Sequence, residues 1–101
     1  MLNKFLSTLG LARRAGKLTY GFDMVQAALY KTQLVLLAQD CAPRTSRNIR
    51  DAAREYGVTV LDVPYTKEAL GVSIGTKPVG IIGVVDRGFT GSLTKSIEGG
   101  N

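Results

Sequence analysis

The amino-acid sequence predicts an α/β protein, a three-layer α/β/α sandwich around a small mixed, largely parallel sheet. Segments with apolar residues at every third or fourth position, typical of helices, alternate with short segments that are apolar throughout. Strands that are apolar at every position are covered on both faces, which places helices on both sides of the sheet. The chain has 101 residues, 45% of them hydrophobic and 21% charged, as expected for one folded domain.

The first part of the chain predicts two helices and one strand. Asn3 can cap a helix with regularly spaced apolar residues that ends near Gly16. A short extended segment, Leu18–Tyr20, leads to a second helix over about residues 22–31. Residues 34–38 are continuously apolar and predict a buried strand.

The middle of the chain predicts a third helix and a second core strand. Thr45 or Ser46 is expected to cap this helix, and Gly57 is expected to end it soon after Tyr56. Residues 58–61 follow as the strand.

The last part of the chain predicts a short helix, a loop, a strand and a final helix. The short helix covers residues 67–70 and is expected to stop at Gly71, before a loop over residues 72–78. Residues 79–85 predict the third buried strand. The final amphipathic helix is expected to fray at residues 99–101.

Composition limits the classes of function. Thirteen Lys and Arg against eight Asp and Glu give a net charge of +5 and a pI near 9.7, which favours an anionic partner such as nucleic acid or an acidic membrane surface. The apolar residues near the N-terminus are interrupted by polar ones, so we expect neither a signal peptide nor a membrane span. A single cysteine suits a reducing compartment, and we expect a cytoplasmic protein with one domain over residues 1–98.

The sequence argues against catalysis. It has no histidine, so ordinary zinc sites and histidine-dependent triads are unavailable. Cys41 follows Asp40 but has no histidine to act as its base, and a small structural cysteine is the simpler interpretation. We therefore expect no enzymatic activity, no metal and no cofactor.

The segment from Gly21 to Gln26 is the main candidate for binding. A helix N-terminus there would expose N–H groups near Gly21 and Phe22, between basic residues, which suits phosphates and the acceptor edges of bases. Positive charge near this start is expected from Arg13, Arg14 and Lys17, which can also complement the C-terminal dipole of the first helix. Asp23 and Gln26 would point outward, and an ionised Asp can accept hydrogen bonds from guanine. The alternative is a plain helix start at which Asp23 complements the helix dipole.

Beyond this segment, the order and spacing of several motifs resemble the kink-turn-binding family of ribosomal proteins L7Ae and L30e, in particular its small bacterial YlxQ-type branch. The matching motifs cover nearly the whole chain. They are Gly16-Lys17, Gly21 with Val25, Ala28 and Leu29, the run Leu34 to Asp40, Ala69-Leu70-Gly71, and the loop Gly75 to Pro78 before an apolar strand. The resemblance implies a monomeric protein that binds kink-turn-like RNA, in ribosomal RNA or a structured leader.

The resemblance and the local chemistry together give a set of candidate RNA-binding residues. In the family, the loop before the last strand clasps a flipped-out nucleotide; here Ile74 would pack on it and Lys77 would contact phosphate. As an ordinary loop, the same segment only turns the chain. The candidates are Arg14, Lys17, Gly21, Phe22, Asp23, Gln26, Lys31, Asp40, Arg44, Ile74, Gly75, Thr76 and Lys77.

The chain departs from the family at three positions. Typical kink-turn binders carry Asn, Glu and Lys where this chain has Asp23, Met24 and Ala27. Two polar contacts are thereby replaced by apolar side chains. We expect weaker or differently selective RNA binding than in the strong binders.

Three further interpretations stay open. Arginines at steps of three and four on the third helix, Arg44 to Arg54, are expected mainly to form a solvated face, with Asp51 and Glu55 pairing with Arg47 and Arg54. The chain could instead be a protein-interaction module with an apolar patch of Tyr20, Phe22 and Met24. It could also be an RNA-substrate domain related to those of some ribose methyltransferases.

Overall fold

The computed structural model describes residues 3–98, which form five α-helices and four strands. The elements in chain order are α1 (Lys4–Arg14), β1 (Leu18–Tyr20), α2 (Phe22–Ala27), a 3₁₀ turn (Leu29–Lys31), β2 (Leu34–Leu37), α3 (Pro43–Glu55), β3 (Thr59–Asp62), α4 (Lys67–Ile74), β4 (Ile81–Val84) and α5 (Arg87–Glu98).

The four strands form one mixed sheet in the order β1-β4-β2-β3. Strands β2 and β3 are parallel, whereas β4 lies antiparallel to both β1 and β2. The predicted α/β class and mixed sheet are confirmed, but the expectation of a largely parallel sheet is wrong. An apolar strand reveals that both its faces are buried, and it carries no information about the direction of its neighbours.

Helices cover both faces of the sheet, so the three-layer sandwich is confirmed. On one face α1, α4 and α5 enclose a core that includes Phe5 and Leu36. On the other face α2 and α3 enclose a second core that includes Val25, Val35 and Ile49. Alternate residues of β2 thus enter opposite cores, as the pleat of a strand requires.

The predicted helix caps are partly confirmed. The Asn3 side chain accepts a hydrogen bond from the amide of Leu6 and caps α1. Gly57 has a φ of 67°, as expected for a residue just after a helix. The third helix begins earlier than expected, at Pro43, because proline suits the first helical position, and neither Thr45 nor Ser46 is its cap. The second helix is shorter than expected and continues as the 3₁₀ turn.

The sequence predicts that the short helix stops at Gly71, but α4 does not stop there. It continues to Ile74 and ends at Gly75, whose φ of 77° is the left-handed conformation. Gly71 lies inside the helix, and glycine is required at this position because a side chain has no room there. A Cβ atom would lie 2.4 Å from the carbonyl oxygen of Lys77. The loop between α4 and β4 is therefore shorter than predicted and packs directly on the helix.

The expected fraying of residues 99–101 lies outside the described residues, and the domain boundary after residue 98 stays a prediction. Over residues 3–98, none of the helices has both the length and the hydropathy that crossing a bilayer requires.

Candidate nucleic-acid interface

The sheet brings several helix starts and loops to one end of the molecule. Strands β1, β2 and β3 finish there and β4 begins there, since Tyr20 pairs with Ile82 and Leu37 pairs with Ile81. Helices α2, α3 and α4 follow β1, β2 and β3 in turn, so all three begin at this end. We call it the α2 end of the sheet; it comprises residues 20–24, 38–44 and 75–80.

The junction between β1 and α2 depends on Gly21. Its backbone has φ 85° and ψ 154°, a conformation that side chains rarely allow. Its amide donates a hydrogen bond of 2.9 Å to the carbonyl of Ile81. The prediction that this N–H is available to a ligand is therefore wrong. With no side chain at the cap, the amides of Phe22, Asp23 and Met24 have no acceptor inside α2.

The α4–β4 loop is held by backbone hydrogen bonds. The amide of Thr76 donates to the carbonyl of Gly71 at 2.8 Å, and the amide of Val79 donates to that of Lys67 at 3.1 Å. The hydroxyl of Thr76 donates to the carbonyl of Lys77 at 2.8 Å. The loop is therefore preformed, with the Lys77 side chain exposed on it.

An open cleft of about 580 Å³ joins the two segments. Gly21 lines one side and residues 75–79 line the other, with Arg13 and Tyr20 between them. The structure thus brings together the helix start and the loop that the sequence singled out separately.

Arg13 is a residue of this cleft that the candidate set omitted. Its guanidinium lies over the Tyr20 ring, 4.7 Å from the ring centre, and its Nη1 donates to the carbonyl of Ile74 at 2.9 Å. A signal for it existed in the sequence, because Arg13 follows the buried Leu9 by four residues and so lies beside the buried stripe of α1.

The surface of α2 presents the predicted base-reading side chains. Asp23 and Gln26 are exposed and lie one helical turn apart on the same face. Met24 is 46% exposed, and Ala27 is also at the surface. Phe22 is half-buried against the α2–α3 core, so its ring is only partly accessible.

Four of the predicted residues lie elsewhere. Lys17 and Lys31 are at the opposite end of the sheet, beside the last residues of β4, because β1 separates Lys17 from Gly21 and the helical segment after Gly21 separates Lys31 from it. Arg14 lines a different groove, between α1 and α4. Ile74 is only 4% exposed and belongs to the core, so the prediction that its side chain packs on a base is wrong.

Asp40 and Arg44 lie at the α2 end. Asp40 Oδ1 accepts a hydrogen bond of 2.8 Å from the amide of Lys67, which satisfies a donor at the start of α4. This contact gives Asp40 a structural role, although its side chain is still exposed. Arg44 is exposed in the first turn of α3.

The arginines of α3 divide into paired and unpaired ones. Arg50 pairs with Asp62 and also donates to Ser46, and Arg54 pairs with Asp51 at 3.3 Å. The expected pairing of Asp51 and Glu55 with Arg47 and Arg54 is thus confirmed only for Asp51 with Arg54. Within residues 3–98, Arg44 and Arg47 make no ion pair.

Cys41 fits the structural interpretation. It is half-buried against both cores, and burial raises the pKa of its thiol, an effect that the nearby Lys67 charge partly opposes. The thiol is therefore protonated at neutral pH. No group of three or more Cys, Asp and Glu that could hold a metal ion occurs in the described part of the chain.

Comparison with known proteins identifies the family that this architecture represents. The family model described as "Ribosomal protein L7Ae/L30e/S12e/Gadd45 family" matches residues 3–94, and the chain belongs to that family. Among individual proteins, the chain is 32% identical over 98 residues to one named RNA-binding protein YlxQ, from Enterococcus faecium. That match covers 95% of this chain and 93% of the relative.

Two solved structures share the fold. A Bacillus halodurans protein of unknown function superposes with a TM-score of 0.88 at 34% identity, over 96% of this chain and 99% of the other. A Giardia lamblia 15.5kD RNA binding protein superposes with a TM-score of 0.77, over 95% of this chain and 83% of the other. At 16% identity, this second likeness concerns the fold alone.

Proposed function

We propose that this protein binds structured RNA of the kink-turn type with the α2 end of its sheet. The observation that carries the proposal is the cleft in which Gly21 of the β1–α2 junction faces Gly75 and Lys77 of the α4–β4 loop. Family membership and the name of the Enterococcus relative support an RNA ligand, as does the net charge of +5.

The shape and charge of this end suit a bent RNA. A sharp bend brings phosphates close together, and a protein that binds the bent form preferentially shifts the RNA towards it. The amides of Phe22, Asp23 and Met24 offer donors, and Lys77 offers a cation on the facing loop. Asp23 and Gln26 lie where they could contact base edges exposed at the bend.

Selectivity should differ from that of typical family members. Asp23 can only accept hydrogen bonds when it is ionised, and Met24 offers an apolar contact in place of a carboxylate. We propose that the protein reads donors on a displaced guanine through Asp23, and that Met24 packs on a base or sugar face. Each replaced polar contact lowers the affinity by roughly 1–2 kcal/mol.

The proposal is of binding without catalysis. The side chains that line the cleft are Arg13, Tyr20, Thr76, Lys77, Pro78 and Val79, none of which is a carboxylate or a thiol. A cytoplasmic monomer associated with ribosomal RNA is the setting that this activity implies.

The protein-interaction alternative is less well supported. It requires an apolar patch of Tyr20, Phe22 and Met24, yet Tyr20 and Phe22 are half-buried against the two cores. Met24 alone of the three is largely exposed, and one side chain is too small a surface for stable docking.

The test is a fluorescence titration with a kink-turn RNA and with the same duplex lacking its G·A pairs, at several salt concentrations. We expect clear preference for the kink-turn at every salt concentration. Equal affinity for both RNAs would reduce the interaction to nonspecific charge attraction, and no binding to either would reject the proposal.

A further inference from the structure

Arg13 is held in place from two directions. Its guanidinium lies over the Tyr20 ring, with 4.7 Å between the guanidinium carbon and the ring centre. Its Nη1 donates a 2.9 Å hydrogen bond to the carbonyl of Ile74, the last residue of α4. Because a guanidinium carries five N–H donors, this hydrogen bond leaves most of them free for another acceptor.

The charge of Arg13 is not neutralised within the described residues. The ion pairs formed by residues 3–98 are Arg50–Asp62 and Arg54–Asp51, neither of which involves it. No acidic residue lines the cleft, whereas Lys77 provides a second cation there. A half-buried arginine without a carboxylate partner, at the wall of an open cleft, is suited to an anionic ligand.

We propose that the cleft holds a phosphodiester group of the bound RNA and that Arg13 contacts it directly. This inference rests on the proposed function and adds the ligand group and the residue that binds it. The aromatic ring and the Ile74 carbonyl fix the plane of the guanidinium before the ligand arrives, so little side-chain freedom is lost on binding.

The dimensions of the cleft suit a phosphodiester group. The cleft is open to solvent and has a volume of about 580 Å³, so a phosphate can enter it with the rest of its nucleotide reaching outward. Gly21 and Gly75 line it without side chains, which allows a backbone to approach closely.

The competing explanation is that Arg13 only joins α1, β1 and α4. The two roles differ in salt dependence, because only a contact with phosphate releases a counterion from the RNA. The experiment measures the dissociation constant for a kink-turn RNA over a range of salt concentrations with wild type, Arg13→Gln and Arg14→Gln. Arg14 is the matched control, since it loses the same charge one residue away but lines the other groove.

We expect Arg13→Gln to weaken binding about tenfold and to reduce the slope of log K against log salt by roughly 0.7–0.9. Arg14→Gln should leave the affinity and the slope nearly unchanged. Arg13→Lys should keep the slope and lose part of the affinity, because an ammonium retains the charge without the planar fork. An unchanged slope for Arg13→Gln, or equal changes for both Gln variants, would overturn the proposal.

A readout on the wild-type protein covers the case in which Arg13→Gln does not fold. The side-chain Nε–H signal of Arg13 in a ¹H–¹⁵N NMR spectrum should shift when the RNA is added, and that of Arg14 should not. A static Arg13 signal at saturating RNA would contradict the proposal. Failure of the wild type to bind RNA would instead reject the proposed function itself, so the two failures are distinguishable.

Discussion

The amide of Gly21 donates a 2.9 Å hydrogen bond to the carbonyl of Ile81, which ties the start of α2 to the first residue of β4. The α4–β4 loop leads directly into β4, so this bond also fixes the loop relative to α2. The two walls of the cleft are therefore joined through the backbone at the start of β4.

Gly21→Ala should destabilise the protein by about 1–3 kcal/mol, because alanine at a φ of 85° is strained. Thermal unfolding measures the effect, and kink-turn affinity should fall with it since the junction moves. Gly91→Ala is the matched control: Gly91 lies inside α5, its added Cβ meets nothing within 4 Å, and its φ is not positive. That change should leave stability equal or raise it by up to about 1 kcal/mol. Equal unfolding temperatures for the two variants would contradict this account of Gly21.

Asp23→Ala should weaken kink-turn binding by roughly 1–2 kcal/mol. The direction of this change in affinity is informative, because removing a negative charge from an RNA-binding surface would otherwise strengthen binding. Glu55→Gln removes an exposed charge from the far end of α3 and should leave the affinity equal or slightly tighter. Isothermal titration with both variants makes the comparison. If Asp23→Ala bound as tightly as wild type, Asp23 would have no part in recognition.

Lys77→Gln should weaken RNA binding more than Lys31→Gln, although each removes one exposed positive charge. Lys77 lines the cleft, whereas Lys31 lies at the opposite end of the sheet. The slope of log K against log salt should fall by roughly 0.7–0.9 for Lys77→Gln and hardly change for Lys31→Gln. A larger loss of RNA affinity for Lys31→Gln than for Lys77→Gln would place the interface at the opposite end of the sheet.

Cys41 should react slowly with iodoacetamide at pH 8, because burial raises the pKa of its thiol and leaves little thiolate. The raised pKa of Cys41 also makes the free energy of unfolding depend on pH. A thiol with a raised pKa in the folded state binds more protons there than in the unfolded state at alkaline pH, so stability falls as the pH rises above the unfolded value. Cys41→Ser should lack this part of the alkaline loss, as chemical denaturation at pH 7 and at higher pH would show. Rapid alkylation of the native protein at pH 8 would contradict the burial.

Features that depend on local sequence patterns could be predicted from the sequence. The apolar run at Leu34–Leu37 identified a central strand, and Asn3 identified the start of α1, because burial and capping depend on residue type and spacing. The direction of β4 was missed, since strand polarity depends on tertiary contacts. Gly71 was misread as a helix stop, because a glycine required for close packing looks the same in sequence as one that ends a helix.

The grouping of the candidate residues could be predicted only in part, for a related reason. Gly21, Gly75 and Lys77 were singled out by motif, and the structure brings them together at one cleft. Lys17 and Lys31 are close to Gly21 along the chain, yet strand β1 and the helical segment after Gly21 carry them to the opposite end. The spacing of Arg13 from Leu9 places it beside the buried stripe of α1, but the cleft that it lines depends on where the fold puts β1 and α4.

The most direct test of the interface is NMR chemical-shift mapping with a kink-turn RNA and the ¹⁵N-labelled protein. We expect the largest amide shifts at residues 22–24 and 75–77, and small shifts at Lys17 and residues 31–33. Shifts centred on the opposite end of the sheet, or on the groove between α1 and α4, would contradict the placement of the RNA site.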